Sequence, residues 1–233
     1  MKKIKLLKNK KILITAGPVW VPIDKLRIIT NIFSGRLGFL IAQTAYQNGA
    51  DVTLLLGPGR IYPDDLKSKN KFNILRFRYY EELLELVKNE VKTKKYDVVI
   101  KSAAVADYIP IKYYDKKIKS GKKKLIIKMK PTLKIIDLIK KMDPSVFLVK
   151  FKLETNLSEK KLIDTAHKSM NVSDADLIVA NNFESVIQNE MEHTAFIIDK
   201  NKNIKKVIGK KKIAIELIKL IAKKINQDEQ RKN

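Results

Sequence analysis

Short apolar runs alternate with longer amphipathic stretches along most of the chain. Lys11–Thr15 and Asp51–Leu56 are almost continuous in apolar residues, which is typical of strands buried on both faces of a parallel sheet. Gly35–Asn48 instead has apolar residues at helical spacing and is followed by Gly49, a common helix terminator. Strands that alternate with helices predict an α/β, Rossmann-like three-layer fold with a mostly parallel sheet.

The same patterns predict the other elements of this fold. Further strands are expected at Tyr96–Lys101, Val146–Phe151 and Asp176–Ala180, and further helices at Glu81–Thr93, Leu133–Met142, 158–170 and 210–224. A hairpin of Thr194–Asp199 and Asn203–Val207 would form a small antiparallel addition. Lys112–Lys124 is expected to be a mobile loop, and Lys124–Met129 a short strand. Without a linker or repeat, residues 1–233 are expected to form one domain, with a basic segment at 1–10 and a frayed tail at 227–233.

The charge of the chain comes mostly from lysine. The sequence has 49 Lys and Arg residues against 25 Asp and Glu, a net charge of +24, but only six of the 49 are arginine. Arginine is the preferred bidentate ligand of phosphate and guanine, so lysines spread along the chain favour a compositional bias over a dedicated nucleic-acid-binding role. The positive field would still attract anionic substrates.

Composition also excludes several kinds of site. The chain has no cysteine and two histidines, which excludes disulfides, thiolate metal sites and a metal site built of histidines. No apolar run approaches the ~20 residues of a membrane span. The N-terminal apolar run is shorter than the roughly 7–15 residues of a signal peptide. These features predict a cytoplasmic protein without a membrane partner.

The connection after the first strand is the first candidate for a ligand site. Ligands of such sheets bind beyond the carboxyl ends of the strands. This connection, 16–34, has about 19 residues, whereas roughly 2–6 are usual. It ends in Ser34-Gly35-Arg36-Leu37-Gly38, where amides, a hydroxyl and a helix N-terminus could bind an anion. Alternatively, Gly35 and Gly38 only permit tight helix packing. Because the motif is not GxGxxG, it does not support a nicotinamide enzyme.

Two further strand ends carry small or aromatic residues. Ser102–Tyr108 follows one strand, and its alanines would let a ligand approach the backbone. Asp107 in that segment either contributes a carboxylate or caps a turn. Phe151 ends another strand and either stacks on a nucleobase or belongs to the core.

These segments together resemble the phosphopantothenoylcysteine synthetase family. The resemblance covers nearly the whole chain and rests on the order of Thr15-Ala16-Gly17, Pro22-Ile23-Asp24, Arg27, Asn31, Ser34-Gly35, AAVADY at 103–108, Lys117-Ile118-Lys119, FKLETN at 151–156 and DLIVANN at 176–182. The FKLET form is similar to free-standing synthetases. The flavin-dependent decarboxylase often fused before the synthetase is not expected here, so the resemblance implies no flavin and a separate decarboxylase in the same pathway.

The resemblance implies a ligation in two steps. A nucleoside triphosphate, usually CTP in bacterial members and ATP in eukaryotic ones, would activate the carboxylate of 4′-phosphopantothenate as an acyl-nucleotide and release pyrophosphate. The amine of cysteine would then attack the acyl carbon. Mg²⁺ would accompany the nucleotide through oxygen ligands. A homodimer is implied too, since the family site often lies near a dimer interface.

The resemblance implies a role for each site residue from its position in the motifs. The catalytic set implied by the resemblance is Asn31, which holds the acyl intermediate, Lys117, a loop lysine that meets the triphosphate, and Arg27, for which a salt bridge within the loop is the alternative. The implied nucleotide-binding set is Gly17, Ser34, Gly35, Ser102, Ala103, Asp107, Lys117, Ile135, Ile136, Phe151 and Lys168.

The chain departs from the family pattern at two places. Gly17-Pro18-Val19-Trp20 stands where Gly-Gly-Thr is usual, which removes a backbone donor and offers Trp20 as a pocket wall. This turn leaves open a related enzyme that uses a different acid or amine. Two helix lysines of fused bacterial members fall near Ser169 and Ser173, where Lys168 would substitute. The choice between CTP and ATP therefore stays open.

Overall fold

The fold is given by a computed structural model that describes residues 5–61, 70–188 and 192–232. Its strands are β1 (Lys11–Ala16), β2 (Val21–Pro22), β3 (Ile28–Ile29), β4 (Asp51–Leu56), β5 (Phe72–Arg76), β6 (Val98–Lys101), β7 (Tyr108–Pro110), β8 (Met129–Pro131), β9 (Phe147–Glu154), β10 (Leu177–Asn182), β11 (Thr194–Asp199) and β12 (Ile204–Ile208). Its helices are α1 (Arg36–Gln47), α2 (Tyr80–Lys92), α3 (Ile135–Met142), α4 (Glu159–Val172), α5 (Phe183–Gln188) and α6 (Lys210–Lys232). None of these helices could cross a membrane.

Eight strands form the central sheet, in the order β12-β11-β10-β9-β6-β1-β4-β5. The six strands from β10 to β5 are parallel, and β11 and β12 add an antiparallel edge. The predicted α/β fold is therefore confirmed. From β1 the chain proceeds outward to β4 and β5, then returns to the other side of β1 through β6. The boundary of β1 and β6 is thus the topological switch point, where ligands bind in such sheets.

The sheet is buried on both faces, as its continuous apolar runs predict. Ile12 and Ile14 of β1 pack in one core layer with α1 and α6. Leu13 packs on the opposite face, in a layer with α2, α3 and α4. All three side chains are fully buried. This alternation fixes which face of the sheet each residue near the strand ends can reach.

The structure differs from the sequence predictions at the edges. β5 is an edge strand with a half-buried pattern, so it lacks the apolar run that identifies the inner strands. The strand predicted at Lys124–Met129 is wrong except for its last residue, because pairing with β7 begins only at Met129. The polar residues that follow the predicted end of the last helix continue as helix to Lys232.

Two small antiparallel sheets lie beyond the carboxyl ends of the main strands. β2 pairs with β3 inside the long β1–α1 connection, and β7 pairs with β8. β7 also contacts β2, so both small sheets lie on the same side of the molecule. We call residues 102–107, between β6 and β7, the floor segment, and residues 111–128, between β7 and β8, the arm.

Candidate active site

The floor segment is fixed to β1 and the turn that follows it. The amides of Ser102 and Ala103 donate to the carbonyl and the hydroxyl of Thr15, both at 3.1 Å. The amide of Ala104 donates to the carbonyl of Gly17 at 3.0 Å. The two strand ends at the switch point are therefore joined by three consecutive hydrogen bonds.

The carbonyl groups of the floor segment are bound as well. The carbonyl of Ala104 accepts from the amide of Val19 at 3.2 Å, and the carbonyl of Ala106 accepts from the hydroxyl of Thr132 at 2.9 Å. The carbonyl of Asp107 accepts from the amide of Thr132 at 2.9 Å. These bonds hold the segment from both sides.

Three consecutive amides of the floor segment remain available to a ligand. In the described part of the chain, no acceptor takes the N–H groups of Val105, Ala106 or Asp107. Successive amides of this kind form a concave donor set that suits an anion. Asp107 itself is exposed beside them.

The N-terminus of α1 lies tightly against the end of β1. Gly35 has a φ of 80°, and a Cβ there would lie 2.7 Å from Cα of Gly17. A Cβ on Gly38 would lie 2.6 Å from Cβ of Ala16. Both glycines are therefore needed for close packing of the helix, which was the alternative to an anion site at this position. The anion site predicted for Ser34 and Gly35 stays a prediction, and the packing places it next to Gly17.

Asn31 joins the β1–α1 connection to the floor segment. Its Nδ2 donates to the carbonyl of Ala104 at 2.8 Å, and its Oδ1 accepts from the amide of Phe33 at 3.2 Å. The residue is half-buried. Asn31 therefore lies at the edge of the segment whose amides are free, and its role in holding the acyl group stays a prediction.

Arg27 forms the salt bridge that the sequence offered as its alternative role. Its guanidinium lies 2.9 Å from Oδ2 of Asp24, which is only 2% exposed. The guanidinium also donates to the carbonyl of Ile118 at 3.2 Å, and the amide of Ile118 donates to Asp24 at 3.0 Å. That amide, with the amides of Leu26 and Arg27, holds the pKa of Asp24 below its usual value. The pair thus attaches the arm to the first loop.

Lys117 is exposed on the arm, next to this attachment. Its neighbour Ile118 is 7% exposed, although most of the arm is open to solvent. A second attachment is the hydrogen bond from the amide of Tyr114 to the carbonyl of Ile23, at 3.1 Å. The position of Lys117 is therefore set by the residue that follows it.

Ile135, Ile136 and Phe151 of the implied nucleotide-binding set lie on different faces of the sheet. Ile135 and Ile136, in the first turn of α3, are buried in the core layer of α2, α3 and α4. Phe151 is half-buried against the layer of α1 and α6. Phe151 alone of the three shares a face with the N-terminal end of α1, and the nucleotide-binding role of all three stays a prediction.

The lysine that contacts Ser169 and Ser173 comes from β9. Lys168 is exposed. The ammonium of Lys150 instead donates to the carbonyl of Ser169 at 2.8 Å and to Oγ of Ser173 at 3.1 Å. Burial lowers the pKa of Lys150. Lys150 therefore lies at this helix end as well, and the substitution by Lys168 stays a prediction.

Lys101, the last residue of β6, was not identified from the sequence. Its ammonium donates to the carbonyl of Ala103 at 3.0 Å. Burial lowers the pKa of Lys101 to about 8, against the opposing effect of Asp107. A lysine at the end of the buried run Val98–Ile100 was the available signal, since a charge in such a place needs a partner.

Trp20 lines a cleft of about 440 Å³ beside the site. The other lining residues are Pro18, Thr30, Asn31, Ile32, Phe33, Ser34, Pro58, Gly59 and Arg60. The Trp20 ring lies 6.4 Å from the ring of Tyr79 in an edge-on arrangement. The interpretation of Trp20 as a pocket wall agrees with this cleft, which opens next to Asn31 and Ser34.

A resident metal centre is not built into the described residues. They contain no group of three or more His, Asp or Glu side chains that could hold an ion. A divalent cation is expected to take oxygen ligands, and a triphosphate supplies these itself. A cation that arrives with a nucleotide stays a prediction.

Comparison with known proteins connects this geometry to one family. Residues 7–225 match the family described as DNA/pantothenate metabolism flavoprotein C-terminal domain. The coenzyme A biosynthesis bifunctional protein CoaBC of Thermococcus kodakarensis is 42% identical over 188 residues, which are 81% of this chain and 45% of that protein. The chain spans about half the length of the curated relatives it matches.

Solved structures share the fold. The DNA/pantothenate metabolism flavoprotein from Streptococcus pneumoniae superposes with a TM-score of 0.81 and 30% identity, over 91% of this chain and 98% of that one. A Cab2 mutant in complex with phosphopantothenate-cysteine gives a TM-score of 0.77 over 97% of this chain and 90% of that one, at 19% identity. The latter likeness shows the fold alone.

Proposed function

The chain belongs to the DNA/pantothenate metabolism flavoprotein C-terminal domain family, the synthetase part of the coenzyme A biosynthesis proteins, and we propose that it is a phosphopantothenate–cysteine ligase. The carboxylate of 4′-phosphopantothenate attacks the α-phosphorus of a nucleoside triphosphate and displaces pyrophosphate. The amine of cysteine then attacks the acyl carbon, an amide forms, and the nucleoside monophosphate leaves while the amine releases a proton.

The observation that carries this proposal is the row of free amides at the switch point. Asn31, the amides of Val105–Asp107 and the N-terminus of α1 all lie at the adjoining ends of β1 and β6. Both substrates are polyanions, and hydrogen-bond donors fixed in advance stabilise the negative charge that develops on an acyl oxygen or a phosphoryl group. The reaction needs no covalent nucleophile from the protein, in keeping with a chain that has no cysteine.

The acyl group would lie on the floor segment. Its carboxylate, and later the oxygen of the tetrahedral intermediate, would accept from the amides of Val105–Asp107. Asn31 adjoins that row through Ala104, and its side-chain amide would turn from the Ala104 carbonyl toward the acyl oxygen. Because the floor segment is bound on both sides, it needs little reorganisation when the charge develops.

The nucleotide would lie across the N-terminus of α1. Ser34 and Gly35 would meet the phosphates there, Phe151 on the same face of the sheet would stack on the base, and Lys117 would close over the triphosphate from the arm. The magnesium ion enters as part of the nucleotide complex and screens its charge. CTP and ATP carry the same triphosphate, so both are tested in the assay below.

The arm would be covered by a second copy of the chain. It exposes large apolar residues, with Ile111 and Ile126 exposed by 59% and 64% and Leu125 by 47%. Large exposed apolar patches mark association surfaces. We therefore infer a homodimer, and we expect Ile126→Lys to lower the molecular weight measured by sedimentation equilibrium. Unchanged assembly of that variant, or a monomeric wild-type protein, would contradict the dimer.

The test of the activity is pyrophosphate release from the purified protein with 4′-phosphopantothenate, cysteine, magnesium and either CTP or ATP. Release that requires 4′-phosphopantothenate is expected, and the faster nucleotide identifies the natural one. Without cysteine, release should stop near one equivalent per site, since the acyl-nucleotide then accumulates. A folded protein that releases no pyrophosphate with either nucleotide would refute the proposal.

The Trp20 cleft supports one alternative, a ligase for a related acid or amine. Its aromatic and proline walls, with Arg60 at the rim, differ from the open glycine turn usual in the family. The same assay with other carboxylic acids and amines separates the two functions. A separate decarboxylase that acts on the ligated product stays a prediction.

A further inference from the structure

Two lysines lie side by side beneath the floor segment. Lys101 ends β6, and Lys150 is its register partner on β9. Their strand neighbours Ile100 and Val149 pack in the layer of α1 and α6, so both lysines face the opposite layer, where α3 and α4 lie. Charged residues are rarely buried in the inner strands of a parallel sheet, and here two lysines are paired on neighbouring inner strands.

The two lysines bind different parts of the molecule. Lys150 donates to the last turn of α4, at Ser169 and Ser173, where a cation stabilises the helix end. Lys101 donates, among the described residues, only to the carbonyl of Ala103. Lys150 therefore supports the scaffold, whereas Lys101 acts on the floor segment.

The bond from Lys101 completes the restraint of one peptide group. The amide of Ala103 is held by Thr15, and the amide of Ala104 by Gly17. The carbonyl of Ala103 lies between these two amides and has no other donor in the described residues. Its orientation determines where the next residues, with their free amides, point.

The surroundings of Lys101 make its charge sensitive to pH. Burial disfavours the ammonium, Asp107 in the floor segment favours it, and Lys150 on the neighbouring strand disfavours it. Lys150 in turn lies near Asp137 and Lys134 at the start of α3. Together these groups lower the pKa of Lys101 to about 8.

We propose that Lys101 is a positioning residue for the ligation. Its ammonium fixes the Ala103 carbonyl, and thereby aims the amides of Val105–Asp107 at the acyl oxygen. When the ammonium loses its proton, the charge-assisted hydrogen bond becomes an ordinary one and the row of amides is held less firmly. This inference rests on the proposed function, because the ligation supplies the acyl oxygen. Lys101 touches no substrate itself, so it acts through the floor segment.

The first test is the pH dependence of kcat/KM for 4′-phosphopantothenate, measured as pyrophosphate release. We expect a decrease above about pH 8 in the wild-type protein. Lys101→Met should lower kcat/KM about ten-fold at pH 7, because a hydrogen bond from a charged donor is lost. The same variant should not show the alkaline decrease. Lys101→Arg should retain activity within about three-fold and also lose the decrease, because arginine stays protonated.

Lys150→Met is the matched control on the neighbouring strand. It should retain the activity at pH 7 and lower the melting temperature. It should also move the alkaline decrease to higher pH, since it removes a repelling charge from Lys101. An alkaline decrease that persists unchanged in Lys101→Arg, or near-normal kcat/KM in Lys101→Met at pH 7, would overturn the proposal.

A second measurement does not depend on activity. In an NMR titration of the wild-type protein, the amide resonances of Val105–Asp107 should shift with the same midpoint as the 13Cε resonance of Lys101, and these shifts should vanish in Lys101→Arg. Amides that do not titrate with Lys101 would overturn the positioning role even if pyrophosphate release is found. If release is absent but the amides titrate, the proposed function fails, and what remains is that Lys101 orients the floor segment.

Discussion

The floor segment and the arm both contribute to the candidate site, but they are held in different ways. Residues 102–107 are hydrogen-bonded to β1, to the β1–α1 connection and to Thr132 along almost their whole length. The arm, residues 111–128, is closed at its base by the bond from the amide of Ile111 to the carbonyl of Lys128, at 2.9 Å, and is attached near Tyr114 and Ile118. The floor segment is bound to the end of the sheet along most of its length, and the arm is attached at only a few points.

This difference separates two tasks that the proposed ligation would require. Charge that develops on an acyl oxygen is stabilised best by donors that need not move, which the floor segment provides. A triphosphate must enter and its pyrophosphate must leave, which favours a cation on a segment with few attachments. The eight lysines of the arm would provide that cation without blocking the entrance.

Asn31→Ala should have the largest effect, because it acts at the rigid side of the site. The variant loses the amide next to the acyl group, and we expect kcat to fall about 100- to 1000-fold, as when one donor of an oxyanion site is removed. The bond to Ala104 is lost too, at about 1 kcal/mol of stability. Pyrophosphate measured at fixed reaction times reports the loss of turnover, and a thermal melt reports the loss of stability.

Asn73→Ala is the control for that substitution, since Asn73 is an exposed asparagine of the edge strand β5. Its turnover and melting temperature should stay close to those of the wild type. If Asn31→Ala also kept turnover within about three-fold, the acyl group would not lie on the floor segment.

Gly35→Ala and Gly121→Ala compare the two regions directly. Both glycines have left-handed backbones, with φ of 80° and 85°. A Cβ at Gly35 would lie 2.7 Å from Gly17, whereas a Cβ at Gly121 in the arm meets nothing within 4 Å. Backbone strain alone destabilises by about 1–2 kcal/mol, and overpacking adds roughly 1–3.

We therefore expect Gly35→Ala to lower the free energy of unfolding by about 2–5 kcal/mol and Gly121→Ala by no more than about 1–2. Urea unfolding followed by circular dichroism measures both. Equal losses in the two variants would mean that the end of β1 is as loosely packed as the arm.

The sequence predicts the rigid region better than the loose one, for a physical reason. A strand buried on both faces must be apolar throughout, so runs such as Asp51–Leu56 are visible in the sequence. β7 and β8 pair over only three residues each, across the arm between them, and no local pattern reveals such pairing. The strand expected at Lys124–Met129 was wrong because those residues have no neighbouring strand.

The site residues also divide into those that the sequence predicts and those that it does not. Motif order predicts which residues approach the switch point, such as Asn31 and Ser102, because the strand ends bring them there. It could not show that Ile135 is core or that Arg27 holds the arm, because both depend on contacts with residues distant in the chain. Lys101 escaped notice because its partner is a backbone carbonyl, which any sequence provides.

Asp24→Asn should release the arm while the floor segment stays in place. Asp24 accepts from the amides of Leu26, Arg27 and Ile118, and the substitution loses the ion pair with Arg27. We expect kcat/KM for the nucleotide to fall about ten-fold, since Lys117 is no longer held. Faster cleavage of the arm by trypsin at its lysines, with an unchanged far-ultraviolet spectrum, would confirm that only the arm is freed.

The pH dependence of stability tests the same contact. Because the pKa of Asp24 is lowered in the folded protein, its contribution is complete above the ordinary value of 3.8 and is lost as the pH falls through the lowered pKa. The melting temperature of the wild type should therefore drop more steeply than that of Asp24→Asn below about pH 4. Parallel curves for the two proteins would show that this carboxylate does not hold the arm.

Lys117→Gln should have the smallest effect, because a single cation on an exposed segment is partly replaced by its neighbours. Lys117 is next to the buried Ile118, whereas Lys119 follows it on the exposed side of the arm. We expect KM for the nucleotide to rise about five- to ten-fold in Lys117→Gln and less than two-fold in Lys119→Gln, since exposed charges are screened unless a contact fixes them.

The two variants have the same net charge, so a common field effect would change both equally. Equal effects would mean that the arm attracts the nucleotide only by its overall charge, and the distinction between a placed lysine and its neighbours would be lost. A larger change in Lys117→Gln that disappears in the Asp24→Asn background would instead show that the attachment at Ile118 gives Lys117 its role.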